Sequence, residues 1–201
     1  MRNSAFDPCL PTRGTKVPAG AEWIHEIKHD GYRLTVQRDG SKVRLFTKNG
    51  HDWTKRFPII AESALRNRTS SFVIDGEAVL LGVDGVSDFD GLHSRRHDEE
   101  IQLYAFDILS IEGEDLRRLP LHLRKNNLAR LLARRPDGIC ISDFEQGEIG
   151  PGLFRKACEF NLEGLVSKRR DRPYRAGPSK DWVKNKNPKH PAMTRVKEAF
   201  S

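Results

Sequence analysis

Glu26-Ile27-Lys28-His29-Asp30-Gly31-Tyr32-Arg33 decides how the rest of this 201-residue chain is read. Taken as extended, period-two alternation directs Glu26, Lys28 and Asp30 to one face and Ile27 to the other. Asp30-Gly31 is a turn signal, and Tyr32-Arg33-Leu34-Thr35-Val36 reads as the strand that follows. The predicted unit is a hairpin with one lysine at its lip, flanked by carboxylates. Such a lysine is either a solvated residue on a half-exposed strand or an amine that attacks a phosphate or carbonyl once its neighbours make it neutral.

Three later segments bear on that choice. In Phe72-Val73-Ile74-Asp75-Gly76-Glu77-Ala78-Val79-Leu80-Leu81, two carboxylates on one face interrupt a run that otherwise reads as a buried strand. Burying unpaired charge costs several kcal/mol or shifts the pKa instead, so the alternatives are a functional site and an edge strand with one wet face. Asn161-Leu162-Glu163-Gly164-Leu165-Val166-Ser167-Lys168 is another acid-glycine pair entering an apolar strand. Asp181-Trp182-Val183-Lys184-Asn185-Lys186 places Lys184 and Lys186 on the same side, two residues apart.

Composition narrows the class. Hydrophobic content of 37% with 31% charged residues fits an ordinary folded protein rather than a disordered one. A net charge of +7 favours a polyanionic partner. Cys9, Cys140 and Cys158 form neither a CxxC pair nor an even set, which argues for a reducing cytoplasm and against a disulfide or zinc framework. No apolar run approaches the ~18 residues of a membrane span, and the N-terminus lacks the apolar core of a signal peptide. The expectation is a cytoplasmic protein with no membrane partner.

Along the chain, residues 1–20 are expected to wrap the surface, followed by strands at 22–29, 32–38 and 42–47, with Asp39-Gly40 turning between the last two. Phe57 to Leu65 and Ser87 to Arg96 read as helices, and 101–109 as a strand. Pro120 opens a helix through Leu121, Leu128, Leu131 and Leu132. A strand at 139–144, a helix from Pro151 to Phe160 and a C-terminal helix from His190 to Phe200 complete the pattern. Hairpins mixed with helices indicate an α+β fold with largely antiparallel sheets. His93 and His97 stand at i, i+4, but no third metal ligand accompanies them, so a solvated basic helix is expected.

Lys28-His29-Asp30-Gly31-Tyr32-Arg33 resembles the K-x-D-G-x-R nucleophile motif of the covalent nucleotidyltransferases, which are ATP-dependent DNA ligases, RNA ligases and mRNA capping enzymes. Asp75-Gly76-Glu77, Tyr104-Ala105-Phe106-Asp107, Glu163-Gly164-Leu165-Val166-Ser167-Lys168 and Trp182-Val183-Lys184-Asn185-Lys186 resemble the later motifs, in the family's order and spacing. The wording is most similar to the small bacterial ATP-dependent DNA ligases, including the ligase domain of bacterial end-joining enzymes. The resemblance implies an ATP-grasp-like nucleotidyltransferase fold, with mostly antiparallel sheets, flanking helices and a nucleotide cleft. It implies one adenylation domain over residues 1–201, without the OB-fold and amino-terminal DNA-binding domains of larger ligases. Lys28 would take AMP from ATP and pass it to a DNA 5′-phosphate for nick sealing in repair and recombination.

The same resemblance implies roles for the other residues. Lys184 and Lys186 would act on the phosphates. Glu26, Arg33, Glu77 and Phe106 would hold the nucleotide, with Arg33 and Glu77 on the ribose and Phe106 stacked on adenine. Glu163, with Glu77, would bind Mg²⁺ or Mn²⁺. DNA ends, and a separate OB-fold or end-joining protein, are the implied partners. One departure is Lys48, where the family usually has an arginine with a planar fork. Two like charges about 6 Å apart at an effective dielectric of about 20 repel by roughly 3 kcal/mol, enough for Lys184 and Lys186 to press Lys28 toward neutrality. Ionised Glu26 and Asp30 nearby would oppose this, so both must be directed elsewhere. A non-catalytic module that binds nucleotide or DNA ends, and an RNA ligase or capping-type nucleotidyltransferase, remain the alternatives.

Overall fold

The computed structural model describes residues 6–134 and 137–198. In chain order the strands are β1 (Cys9–Arg13), β2 (Trp23–Ile27), β3 (Tyr32–Asp39), β4 (Lys42–Thr47), β5 (Ser71–Val79), β6 (Gln102–Ile111), β7 (Glu114–Asp115), β8 (Ile139–Ile141), β9 (Phe144–Gln146), β10 (Gly164–Arg169) and β11 (Gly177–Lys186). The helices are α1 (Pro58–Arg66), α2 (Phe89–Ser94), α3 (Leu121–Leu131), α4 (Gly150–Glu159) and α5 (Ala192–Glu198). The strands form two sheets. The first runs β1-β11-β10-β2-β9 and the second β4-β3-β5-β6-β7, with β8 added on β6. Pairing is antiparallel except at β1–β11 and β6–β8. The architecture is the expected α+β arrangement of mostly antiparallel sheets.

The octapeptide is not the expected hairpin. β2 belongs to the first sheet and β3 to the second, so His29-Asp30-Gly31 is a crossing between sheets. Gly31 is needed there for close approach, because a Cβ would lie 2.3 Å from the Ala78 carbonyl oxygen. The true hairpin turn is Asp39-Gly40, where Gly40 has a φ of 59°. Within residues 1–20, Cys9–Arg13 leaves the expected surface wrap and pairs as the edge strand β1, with Pro11 beside a register shift; residues 1–5 lie outside the described residues. The strand expected at 139–144 divides into β8 and β9, one on each sheet.

Two helices end differently from expectation. α2 stops at Ser94 because Arg95 adopts a left-handed φ of 61°. His93 and His97 therefore do not share a helix face. His93 Nδ1 meets the Tyr32 hydroxyl at 2.7 Å, and His97 meets Glu100 at 2.7 Å. α5 is described from Ala192 to Glu198, and the end of the expected helix at Phe200 lies outside the described residues.

The main core lies on one side of the second sheet, where Leu34, Val36, Ile74 and Leu103 pack with Phe57 and Ile60 near α1 and Leu128 of α3. A smaller cluster joins the sheets and contains Cys9, Val73, Leu109, Tyr174 and Trp182, with Phe6 and Phe106 against it. Phe106 and Leu109 reach it because each is the extra residue at a register shift between β5 and β6. No described helix is long and apolar enough to cross a membrane.

α3 grips both sheets with adjacent cations. Arg124 is fully buried and donates to Asp107 of β6 through Nε at 2.8 Å and Nη2 at 2.9 Å. Lys125 donates to Glu26 of β2, and both side chains are buried. Removing one partner of a buried pair leaves an uncompensated charge, whereas replacing both leaves none. Arg124→Met is therefore expected to cost about 3–5 kcal/mol in urea unfolding. Arg124→Met with Asp107→Leu is expected to recover most of that loss, and an equally unstable double variant would contradict the account.

Candidate active site

A cleft of about 730 Å³ opens between the sheets, within the size range of small-molecule sites. Register explains which side chains meet there. In the first sheet Glu26, Val166 and Lys184 form one cross-strand row, and Lys168 faces Trp182 in the next. In the second sheet Arg33, Glu77 and Tyr104 form the matching row. Glu26, Lys28, Arg33, Glu77, Phe106 and Lys184 all line the cleft, as does Lys48. Glu163 joins it through its ion pair with Lys28, and Lys186 through its own pair with Glu163.

Lys28 lies just beyond the end of β2, its backbone N–H donating to the Gly164 carbonyl at 2.9 Å. Its amine donates to Glu163 Oε2 at 2.6 Å, while Lys186 Nζ sits 2.9 Å from Glu163 Oε1. Burial pushes the Glu163 carboxyl up, but Lys28 and Lys186 together outweigh it and bring the group below its ordinary value. Lys184 is lowered by burial and by repulsion from Lys28, Lys186 and Lys48. Glu163 thus sits among three lysines, with Lys48 near Lys184, an arrangement suited to a polyanion.

Glu26 and Asp30, the two carboxylates expected to oppose neutralisation of Lys28, are both directed elsewhere, and the carboxylate that pairs with the amine is Glu163. Asp30 pairs with Arg195 of α5. Glu26 accepts from Lys125 through Oε1 and from Lys168 through Oε2, the latter at 2.5 Å. The expected common face for Glu26, Lys28 and Asp30 does not form, because the chain leaves the strand after Ile27 and alternation stops.

The second-sheet wall has different chemistry. Arg33 donates through Nε and Nη2 to Asp75, at 3.0 and 2.6 Å, and through Nη1 to the Cys9 carbonyl at 2.6 Å. Tyr174 donates its hydroxyl to Asp75 at 2.7 Å. Asp75 is thus bound into a buried network, whereas Glu77, two residues on, lines the cleft. Burial pushes Glu77 up to about 7, against the attraction of Lys28 and Arg33. Phe106 meets Trp182 edge-on at 5.9 Å, and the Lys168 amine lies 4.1 Å from the centre of each ring.

No group of three or more His, Cys, Asp or Glu side chains among the described residues forms a metal cage. Glu163 and Glu77 do repel one another electrostatically. Two carboxylates are a fitting donor set for Mg²⁺ that arrives on nucleotide phosphates, since that ion usually takes one or two carboxylates plus phosphate oxygens and waters.

Lys125, Lys168, Trp182, Tyr174 and His29 were not singled out from the sequence. Lys168 was accessible through parity with Val166 on one strand. Lys125 carried no signal, because a lysine in a helix ordinarily marks the wet face. His29 packs at a tilt against Tyr104, 4.6 Å between ring centres, and is lowered to about 4 by burial, then by Lys28.

The family model described as ATP dependent DNA ligase domain matches residues 13–186. The multifunctional non-homologous end joining protein LigD of Pseudomonas aeruginosa is 37% identical over 172 residues, covering 84% of this chain and 20% of that protein. The multifunctional non-homologous end joining DNA repair protein LigD of Mycobacterium tuberculosis is 33% identical over 182 residues, covering 90% and 24%. This chain thus spans about a fifth to a quarter of these relatives' length. A mycobacterial DNA ligase D complexed with ATP and MES superposes with a TM-score of 0.76 at 33% identity, covering 89% of this chain and 59% of that one. The ATP-dependent ligase of bacteriophage T7, at 17% identity and a TM-score of 0.66, shows the same fold.

Glu77 offers a pH test. Because its folded-state pKa is raised, the folded chain keeps a proton that the unfolded chain sheds, so stability is lost as pH rises from the ordinary carboxylate range through about 7. Relative to Glu77→Gln, the native chain is expected to lose up to about 3 kcal/mol of unfolding free energy over that window. Identical pH profiles for the two proteins would refute the raised value.

Proposed function

Because the chain belongs to the family of ATP-dependent DNA ligase domains, we propose that its cleft takes ATP and that Lys28 becomes adenylylated. The observation that carries this reading is the Glu163 carboxylate held between Lys28 and Lys186, with Lys184 beside them. Residues separated by most of the chain's length meet around one amine.

In the proposed cycle the neutral Lys28 amine attacks the α-phosphorus of ATP. A P–N bond forms, the bond to the departing oxygen breaks, and pyrophosphate leaves. A DNA 5′-phosphate oxygen then attacks the adenylate phosphorus and releases Lys28. The DNA 3′-hydroxyl finally displaces AMP and closes the phosphodiester. Lys184 and Lys186 would stabilise charge that develops on phosphate oxygens. Glu163, with Glu77, would hold Mg²⁺ or Mn²⁺, which supplies further positive charge to those oxygens.

The remaining residues suit the nucleoside. Glu77 is a directional acceptor for ribose hydroxyls, and Phe106 presents an aromatic edge of the cleft to adenine. Arg33 lines the same wall, and its pairing with Asp75 presets the orientation it would offer the ribose. Glu26, steadied by Lys125 and Lys168, would serve the base. Nicked or broken DNA is the proposed acceptor, which places the reaction in the cytoplasm.

Incubation with Mg²⁺ or Mn²⁺ and α-labelled ATP is expected to leave an acid-labile label on Lys28, absent in Lys28→Ala. Lys184→Ala is expected to slow labelling by about a hundredfold. Label from GTP alone would favour a capping-type enzyme. No label from either nucleotide would favour a non-catalytic nucleotide or DNA-end binder. Nicked DNA already carrying a 5′-adenylate tests the last step separately, and Lys28→Ala should retain it.

A further inference from the structure

The loop that carries Lys28 is restrained from outside by the segment that follows β11. That segment leaves the Lys184/Lys186 strand through buried Asn187, whose backbone N–H donates to the Glu163 carbonyl at 2.8 Å and whose side chain donates to the Leu162 carbonyl at 3.1 Å. It then turns into α5, which presents Arg195 to the loop. Arg195 Nη2 donates to Asp30 Oδ2, and its guanidinium lies 4.0 Å from the centre of the Phe89 ring. Phe89 packs on Tyr32 at 5.3 Å, the first residue of β3. Arg195 therefore holds Asp30 directly and bears on Tyr32, across Gly31, through the Phe89 ring. Lys28 is tied at the β2 end by its N–H to the Gly164 carbonyl at 2.9 Å, but past it the Asp30 N–H and His29 Nδ1 meet Ser87 Oγ only at 3.4 Å.

We propose that Arg195 is a positioning residue for the adenylylation reaction. By clamping Asp30 it fixes the crossing that presents Lys28, and it keeps the Asp30 carboxylate off the Lys28 amine. The claim rests on the proposed adenylylation of Lys28 for its catalytic consequence, but not for the clamp itself. The geometry gives Arg195 no contact with the cleft, which it does not line. Its action runs through Asp30. The pair is buried on the Asp30 side and part-exposed on the Arg195 side, at 11% and 31% side-chain exposure, so it is weak enough to remove without unfolding the sheets.

Two measurements on the full chain test this, with Arg195→Ala, Arg195→Lys and Asp30→Asn. Amide hydrogen exchange of the peptide spanning residues 28–31 is expected to quicken about fivefold in Arg195→Ala while β5 stays protected, as local opening without global unfolding requires. Arg195→Lys should retain most of the protection. The lysyl-adenylate rate at saturating ATP is expected to fall roughly tenfold in Arg195→Ala, with the half-saturating ATP concentration unchanged. Asp30→Asn should behave alike, and the double variant should be no worse than either single one, because both remove one interaction. Unchanged exchange overturns the proposal, as does faster exchange with an unchanged rate. If the native chain forms no adenylate yet the exchange responds, the clamp stands and the adenylylation reading falls.

Discussion

Two adjacent cations on one helix, Arg124 and Lys125 of α3, set where the two sheets stand relative to each other. Each reaches a buried carboxylate on a different sheet, Asp107 on the second and Glu26 on the first. Buried pairs of this kind add little net stability compared with apolar packing, because desolvation offsets attraction. Their value is geometric. An ammonium and a carboxylate stripped of water tolerate few arrangements, so the helix cannot slide without leaving charge uncompensated. The Phe106, Trp182 and Tyr174 cluster closes the joint from the other side and uses the bulges in β6 to do so.

With the sheets so placed, the cleft inherits an uneven charge. Lys28, Lys184 and Lys186 gather around one carboxylate, Glu163, on the first-sheet side, and Lys48 approaches Lys184 from beyond β4. On the second-sheet side Asp75 is paired with Arg33 and Tyr174, and burial raises Glu77 to about 7. One wall thus favours phosphates, and the other offers hydroxyl-binding groups and aromatic surface. That division suits a nucleoside triphosphate laid across the cleft, in keeping with the family to which the chain belongs. The Glu26 pairing with Lys125 and Lys168 extends the positive side into the interior, where little water screens it.

Much of the secondary structure was legible locally. Asp39-Gly40, the run of β-branched residues in β3 and β5, and Pro120 ahead of a leucine-periodic helix each act within a few residues, so they appear where period and turn chemistry put them. The errors fell where a neighbour distant in sequence decides. Asp30-Gly31 reads as a hairpin turn, yet Gly31 serves a close pass against β5. Cys9–Arg13 reads as loop, yet β11 offers it an edge. Arg95 ends α2 by a left-handed turn that helical spacing of His93 and His97 does not reveal.

By itself the sequence determined the α+β class, most of the strands along the chain and which titratable residues to watch, because those follow from periodicity, turn residues and motif spacing. Tertiary structure alone decided which charges meet. It gave Asp30 to Arg195, Glu26 to Lys125 and Lys168, and Glu163 to Lys28 and Lys186. Electrostatic partnership depends on separations of a few ångströms between residues up to 165 positions apart. Nothing in local pattern encodes such distances, since sheet register and helix docking set them only when the chain is folded.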